Sequence, residues 1–327
     1  MKLPFSLLDL APIGEGTSIA DALDSSRQLA VQAEKSGYNR IWLAEHHGMH
    51  GVASSATAVV LGHIAAATKT IRIGSGGVML PNHSPLVIAE QFGTLATLFP
   101  DRVDLGLGRA PGTDMATANA LRRNLQSDVD SYPADIRELQ HYLGTPKEGQ
   151  RIVAVPGANT HIPLWLLGSS LYSAQLAGKF GLPYSFASHF APDQLFDAIS
   201  LYRSMFEASQ QSDKPYIMAG VMAVVADTDE EARYLFTSVQ QQFMNMRQGA
   251  NRPFAKPVDD LSQICTNADQ AMLSHILRYA LVGSPQTVSD KLHKFIDATE
   301  VDELIVSMPI HDIKARLKSA EMFAKLM

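Results

Sequence analysis

An acid and two imidazoles stand together at Glu45-His46-His47, directly behind the apolar run Arg40-Ile41-Trp42-Leu43-Ala44. A buried strand that ends abruptly in titratable groups is how an α/β sheet or barrel presents chemistry at the carboxyl edge of its strands. Imidazole titrates near neutral pH, so His46 is a candidate general base or acid. The competing reading is a loop whose histidines bond backbone carbonyls. A metal reading would use His46, His47 and His50. No further ligand pattern in the chain supports it, and no metal is assigned.

Three other groups could serve a ligand. Gly74-Ser75-Gly76-Gly77 ends a third strand-like run. Glycines there make a plain turn, or let a flat ligand approach the backbone. Arg109 follows a fourth run, and Gly168-Ser169-Ser170, with Ser173, opens the helix after a fifth. A helix N-terminus offers free N–H groups and the positive end of its dipole, and a guanidinium adds a bidentate countercharge suited to phosphate. Capping by Ser169 or Ser170 and a surface ion pair of Arg109 remain the alternative. Trp42, Met79, Phe190 and Met222 lie near the same rim and read as core or as the wall of an apolar cavity.

These residues need a scaffold that repeats. Strand-like runs occur at Phe5–Leu8, Arg40–Ala44, Thr70–Ile73, Val103–Leu107, Leu164–Leu167, Pro183–Ala187, Ile217–Val225 and Glu303–Val306. Helical patterns alternate with them. Ser18 and Asp21 form a capping box, Gly37 stops the first helix, and Pro85 opens another. The stretch Ala53–Ala67 is small and apolar nearly all round, 113–149 holds two helices, and 152–157 looks like a hairpin. Eight βα repeats predict a closed (β/α)₈ barrel in one domain over 1–327. A doubly wound sheet is the runner-up, against which the G-x-G-x-x-G fingerprint is missing. Residues 227–282 break the rhythm with two helical stretches and no clear strand, which reads as an insertion forming a lid.

Composition narrows the class. The net charge is −6 over 327 residues with no basic run, which disfavours nucleic acid and anionic membrane. The longest apolar stretch, 217–226, is too short to cross a bilayer, which needs ~20 residues. A lone Cys265 fits a reducing cytoplasm.

Taken in order, Trp-Leu-Ala-Glu-His-His at 42–47, Gly-Ser-Gly-Gly-Val-Met-Leu-Pro at 74–81, Gly-Leu-Gly-Arg at 106–109, Gly-Ser-Ser at 168–170 and Leu-Val-Gly-Ser-Pro at 281–285 resemble the bacterial luciferase-like flavin monooxygenases, in their alkanal-monooxygenase-like branch. The resemblance implies a (β/α)₈ barrel with an insertion after the seventh strand and non-covalent FMN, used reduced. It implies O₂, a separate flavin reductase, an aldehyde or other small apolar substrate, and a homodimer, for which Ala53–Ala67 is the candidate contact. His46 would be the catalytic histidine, Gly76–Gly77 a cis bond under the flavin ring, and Gly168, Arg109, Ser169, Ser170 and Ser173 the phosphate site. Light-emitting members carry a cysteine where this chain has Gly108 and an acid where it has Ser169, which argues against light emission. Other outcomes are deazaflavin (F420) hydride transfer, a non-catalytic flavin carrier, or a barrel metallohydrolase on His46, His47 and His50.

Overall fold

The computed structural model describes residues 3–110, 115–121 and 131–327. Eight parallel strands close a barrel: β1 (Phe5–Asp9), β2 (Arg40–Leu43), β3 (Arg72–Met79), β4 (Val103–Gly108), β5 (Leu164–Gly168), β6 (Tyr184–Phe186), β7 (Ile217–Val225) and, last in the ring, β9 (Glu303–Ser307). Each pairs with the next, and β9 closes between β7 and β1. The extra strand β8 (Leu281–Gly283) pairs with the far end of β7, at Ala223–Val225. It lies at the close of the predicted insertion, where no strand was expected.

Helices α1 (Ile19–Lys35), α2 (Thr57–Ala66), α3 (Pro85–Leu98), α4 (Met115–Leu121), α5 (Tyr132–Leu143), α6 (Leu171–Phe180) and α7 (Leu195–Met205) follow successive strands. After β7 come α8 (Asp229–Arg247) and α9 (Asn267–Ile276), then α10 (Pro285–Thr299) and α11 (Ile313–Ala324). The capping box of α1 forms as read, and Gly37 takes a positive φ just beyond its end. The second predicted helix is shorter than expected, because 53–56 forms a turn and a bend, with Ala53 N–H donating to Ala11 O. Of the two helices expected in 113–149, α4 and α5 are seen; 111–114 and 122–130 lie outside the described residues. The predicted hairpin at 152–157 is instead a turn, with Val155–Pro156 cis, packed so closely on α3 that Gly157 Cα would lie 2.4 Å from a Cβ at Gly93.

Two apolar layers hold the barrel. Leu7, Ile41, Leu43, Ile73 and Leu105 face outward into the helices. Leu8, Trp42, Ala44, Trp165, Met218 and Ile305 fill the inside, where the two indoles meet edge to face at 5.2 Å. Space for them comes from glycines. A Cβ at Gly74 would meet Trp42 Nε1 at 2.7 Å, and one at Gly106 would meet Ser75 O at 2.2 Å. The predicted glycine turn at 74–77 is therefore strand: β3 runs on to Met79, with a register shift against β4 between Ser75 and Val78.

The amino-terminal end of the barrel is closed by charge. Arg40 bonds Asp104 (Nη1–Oδ2, 2.6 Å) and grips Glu303 through Nε (3.0 Å) and Nη2 (3.2 Å). Arg72 adds a second contact to Asp104 (2.5 Å), and Tyr216 O–H donates to Glu303 (2.9 Å). A barrel sealed at this end leaves its other mouth for ligands.

Candidate functional site

The predicted site residues fall at the carboxyl ends of four consecutive strands, β2 to β5. His46 follows β2, is half-buried, and is fixed by its own N–H, which donates to Ser54 O (3.1 Å). Ser54 Oγ in turn donates to Ala44 O (2.5 Å), so the backbone on both sides of Glu45 is pinned. Ala44, two residues before His46, belongs to the inner cluster. The Gly76–Gly77 peptide is cis, as the resemblance implied. A Cβ at Gly76 would meet Leu8 Cδ1 at 2.7 Å, and one at Gly77 would meet Gly106 O at 2.7 Å, so this backbone lies directly on its neighbours.

On β4 and β5 the groups expected to hold a phosphate converge. Arg109 leaves β4, and its guanidinium lies 4.4 Å from the centroid of the Tyr172 ring, in the first turn of α6. Ser170 is the N-cap of α6, its hydroxyl accepting from Ser173 N–H; Ser169 makes no such cap. Ser173 Oγ donates to Ser170 O (2.7 Å) and sits 3.0 Å from Tyr184 Oη. Gly168 must be glycine here, since a Cβ would lie 2.3 Å from Ser173 Oγ. A helix start, hydroxyls and a cation stacked on a tyrosine suit an anionic tail, and the bare backbone of β3 suits a flat ring beside it. A Cβ on Gly108 would meet Met79 Sδ at 2.8 Å.

Glu45 was singled out with the two imidazoles, but its role at the centre of the rim was not foreseen. Glu45 is 2% exposed and is the hub of the rim. Its Oε1 lies 2.7 Å from His47 Nε2 and 2.7 Å from His83 Nε2, while Oε2 accepts from Met79 N–H (3.2 Å). Burial works against its ionisation, but the contacts and charge of His83 and His47 outweigh that and hold the carboxyl below its ordinary pKa. The metal set considered from the sequence is not the one brought together: Glu45, His47 and His83 converge, with ligand atoms within 4.8 Å of one another, whereas His50 is exposed on the loop. His83 carried no motif. Tyr172 was hidden as an ordinary helix residue. His189 follows β6, which lies opposite β2 in the eight-strand ring. Its Nδ1 is buried without a hydrogen-bond partner against Gly220, and burial lowers its pKa to about 4, so the ring is neutral. Of the four apolar rim residues, Trp42 and Met222 are core, Met79 is half-buried, and Phe190 is exposed.

The insertion reaches this rim. Phe254 exchanges backbone bonds with the loop after β1 (Phe254 N–H to Ile13 O, 2.8 Å; Glu15 N–H to Phe254 O, 2.9 Å). Asn251 clasps the loop after β2, accepting from His50 N–H and donating to Gly48 O, both at 2.6 Å. A separate cavity of about 760 Å³, lined by Phe196, Phe236, Leu273, Tyr279 and Phe295, lies outside the barrel and includes none of the predicted site residues.

Residues 3–302 match a family described as luciferase-like monooxygenase. An Escherichia coli protein of that description is 50% identical over 320 residues, covering 98% of this chain and 96% of its own. The chain belongs to the luciferase-like monooxygenase family. It is an oxidoreductase of the flavin-dependent monooxygenase type. Among the family's characterised relatives, an N-acetyl-S-alkylcysteine monooxygenase of Bacillus subtilis is 40% identical over 186 residues, 56% of each chain. The solved structure of apo-MsnO8 superposes with a TM-score of 0.88 at 34% identity, covering 99% of this chain and 98% of that one. At the level of fold alone, two further structures align. One is the oxygenating constituent of a Pseudomonas putida 3,6-diketocamphane monooxygenase in complex with FMN (TM-score 0.74, 20% identity, 99% and 97% covered). The other is an F420-dependent secondary alcohol dehydrogenase (TM-score 0.66, 16% identity, 100% and 98% covered). No described helix is long and apolar enough to cross a membrane.

Proposed function

We propose that this luciferase-like monooxygenase binds reduced FMN and O₂ and oxygenates a small apolar substrate, an aldehyde or a molecule of similar character, with the flavin reduced by a separate enzyme. The observation that carries the reading is the convergence on one rim of His46, the Gly76–Gly77 backbone, and Arg109 with the serine-capped start of α6. Arg109, Gly168, Ser169, Ser170 and Ser173 would hold the phosphate, with Tyr172 as a platform for the guanidinium. Bound there, FMN supplies the electrons that activate O₂. His46 would hold or move a proton at the reacting face. The insertion would exclude water as a lid, a role supported by the bonds of Phe254 and Asn251 to the rim loops. A homodimer in the cytoplasm fits this reading; Val59 on α2, 74% exposed, and Val87 on α3, 44% exposed, offer apolar contact for it.

Flavin titration in both redox states tests the proposal. Reduced FMN should bind more tightly than oxidised FMN and more tightly than F420, and O₂ consumption should depend on the reduced flavin. Preference for F420 with no O₂ uptake would replace oxygenation by hydride transfer, in keeping with the F420-dependent fold neighbour. His46→Ala should keep FMN affinity within about 3-fold while turnover falls by 10²–10⁴-fold, the usual share of acid–base catalysis; unchanged turnover removes His46 from the mechanism.

A further inference from the structure

We propose that Glu45 is a positioning residue: an ionised, acceptor-only carboxylate that fixes the proton of both His47 and His83 on Nε2 and ties the loop after β2 to the end of β3. Three donors converge on it. Oε1 takes both imidazoles at 2.7 Å, and Oε2 takes the Met79 N–H at 3.2 Å. A carboxylate has no proton to give, so each ring nitrogen facing it must carry one. The tautomer of both histidines is thereby set by one side chain, in the way second-shell carboxylates set the imidazoles they orient. The carboxylate does this at 2% exposure, where its charge is poorly screened by water.

The placement gives this device its purpose. Glu45 directly precedes His46, and Met79 closes the strand that contains Gly76–Gly77. One carboxylate therefore braces the two backbone segments that flank the proposed flavin ring. The two imidazoles lie 6.4 Å apart between centroids, with 50° between their planes, and meet on the same carboxylate oxygen. His83 enters from the far side of the turn at Leu80–Asn82, a position that has no use in the anion site or in the barrel core. The inference rests on reading this rim as the reaction mouth.

Glutamine at 45 has nearly the same shape, but its NH₂ must face either both ring N–H groups or the Met79 N–H, and in the second case the oxygen left to the rings is that of a neutral amide, a weaker acceptor than a carboxylate. With ¹⁵N-histidine label, the native protein should give two protected ring N–H signals of the Nε2–H tautomer, assigned by their loss in His47→Asn and His83→Asn. In Glu45→Gln at least one of them should lose protection and exchange at least 10-fold faster, whereas Glu45→Asp, still a carboxylate, should retain part of it. FMN affinity in Glu45→Gln should stay within about 3-fold of native. Nδ1–H tautomers in the native protein, or signals unchanged in Glu45→Gln, overturn the proposal. So does stoichiometric binding of Zn²⁺, added alone, that removes both N–H signals, since the triad would then be a metal centre. A protein that ignores FMN yet shows the two signals as described would sink the flavin reading and leave the tautomer assignment standing.

Discussion

Arg109 is the side chain on which the anion site depends most directly. Its guanidinium lies over Tyr172, held by stacking rather than by a carboxylate among the described residues, so its hydrogen-bonding edges remain available to a phosphate. Arg109→Ala should weaken FMN binding by roughly 1.5–3 kcal/mol, about 10- to 150-fold, the worth of a hydrogen bond to a charged group. Riboflavin, which has no phosphate, provides the control: its affinity should be equal in both proteins. Equal losses for FMN and riboflavin would mean that Arg109 acts on the fold of the rim instead. At the same scale, His189 contrasts with the Glu45 pair. Burial without a countercharge lowers its pKa to about 4 and keeps it neutral, whereas the histidines on Glu45 have an anion beside them.

The elements are seated by fewer groups than their number suggests. Glu34 is an example. It lies in the last turn of α1, and its Oε1 accepts from Lys69 N–H (2.8 Å), Thr70 N–H (2.6 Å), Ile71 N–H (3.0 Å) and Thr70 O–H (3.1 Å), fixing the segment that leads into β3. Partial burial opposes ionisation, but these donors overcome it and bring the pKa down to about 2. The folded value is below the unfolded one, near 4.5, so the stabilisation is present above pH 4.5 and is lost as pH falls toward 2. Glu34→Gln should cost roughly 1–2 kcal/mol at pH 7, with solvent screening allowed for, and the difference from native should shrink progressively below pH 4.5. Denaturant unfolding at pH 7, 4 and 3 measures it; a pH-independent difference would contradict this account. The glycines on β3 and β4 act at the same scale: Trp42 occupies the space that side chains at Gly74 and Gly76 would take, and Ser75 O the space of one at Gly106.

Across the whole molecule the barrel divides its labour between two ends. The amino-terminal end is plugged by Arg40, Asp104, Arg72 and Glu303, nearly all buried, and linked across β2, β3, β4 and β9. Breaking such a network is costly because the remaining charges stay buried. Arg40→Met should lower stability by about 3–5 kcal/mol, since Glu303 loses its guanidinium and Asp104 keeps Arg72 as its ion-pair partner beside the Trp42 N–H. Thermal unfolding checks this. FMN affinity measured well below the transition should change little, because the proposed flavin rim is at the other end of the strands. A large loss of affinity with intact stability would show that the two ends are coupled. The carboxyl-terminal end carries loops, titratable groups and the insertion, whose small apolar cluster of Phe236, Val239 and Phe254 joins β7 to the rim through Ile310.

The alternation of apolar runs and helices was sufficient to determine the eight-stranded barrel, because burial on both faces of a parallel strand writes itself into local sequence. The same local grammar located Glu45-His46-His47, Arg109 and the start of α6, since barrel strands end where polarity begins. It did not reveal β8, whose three residues pair only because the end of β7 projects beyond its neighbours. Nor did it tell the glycines of a turn from those of a strand, a choice made by Trp42 arriving from β2 and by the β4 backbone beside them. Least legible was the Glu45 hub. His83 is 38 residues further along the chain and carries no pattern of its own, and only the pairing of β2 with β3 brings it to the carboxylate. Chain-local chemistry is set by composition and spacing, whereas contacts between the ends of different strands exist only once the barrel has closed.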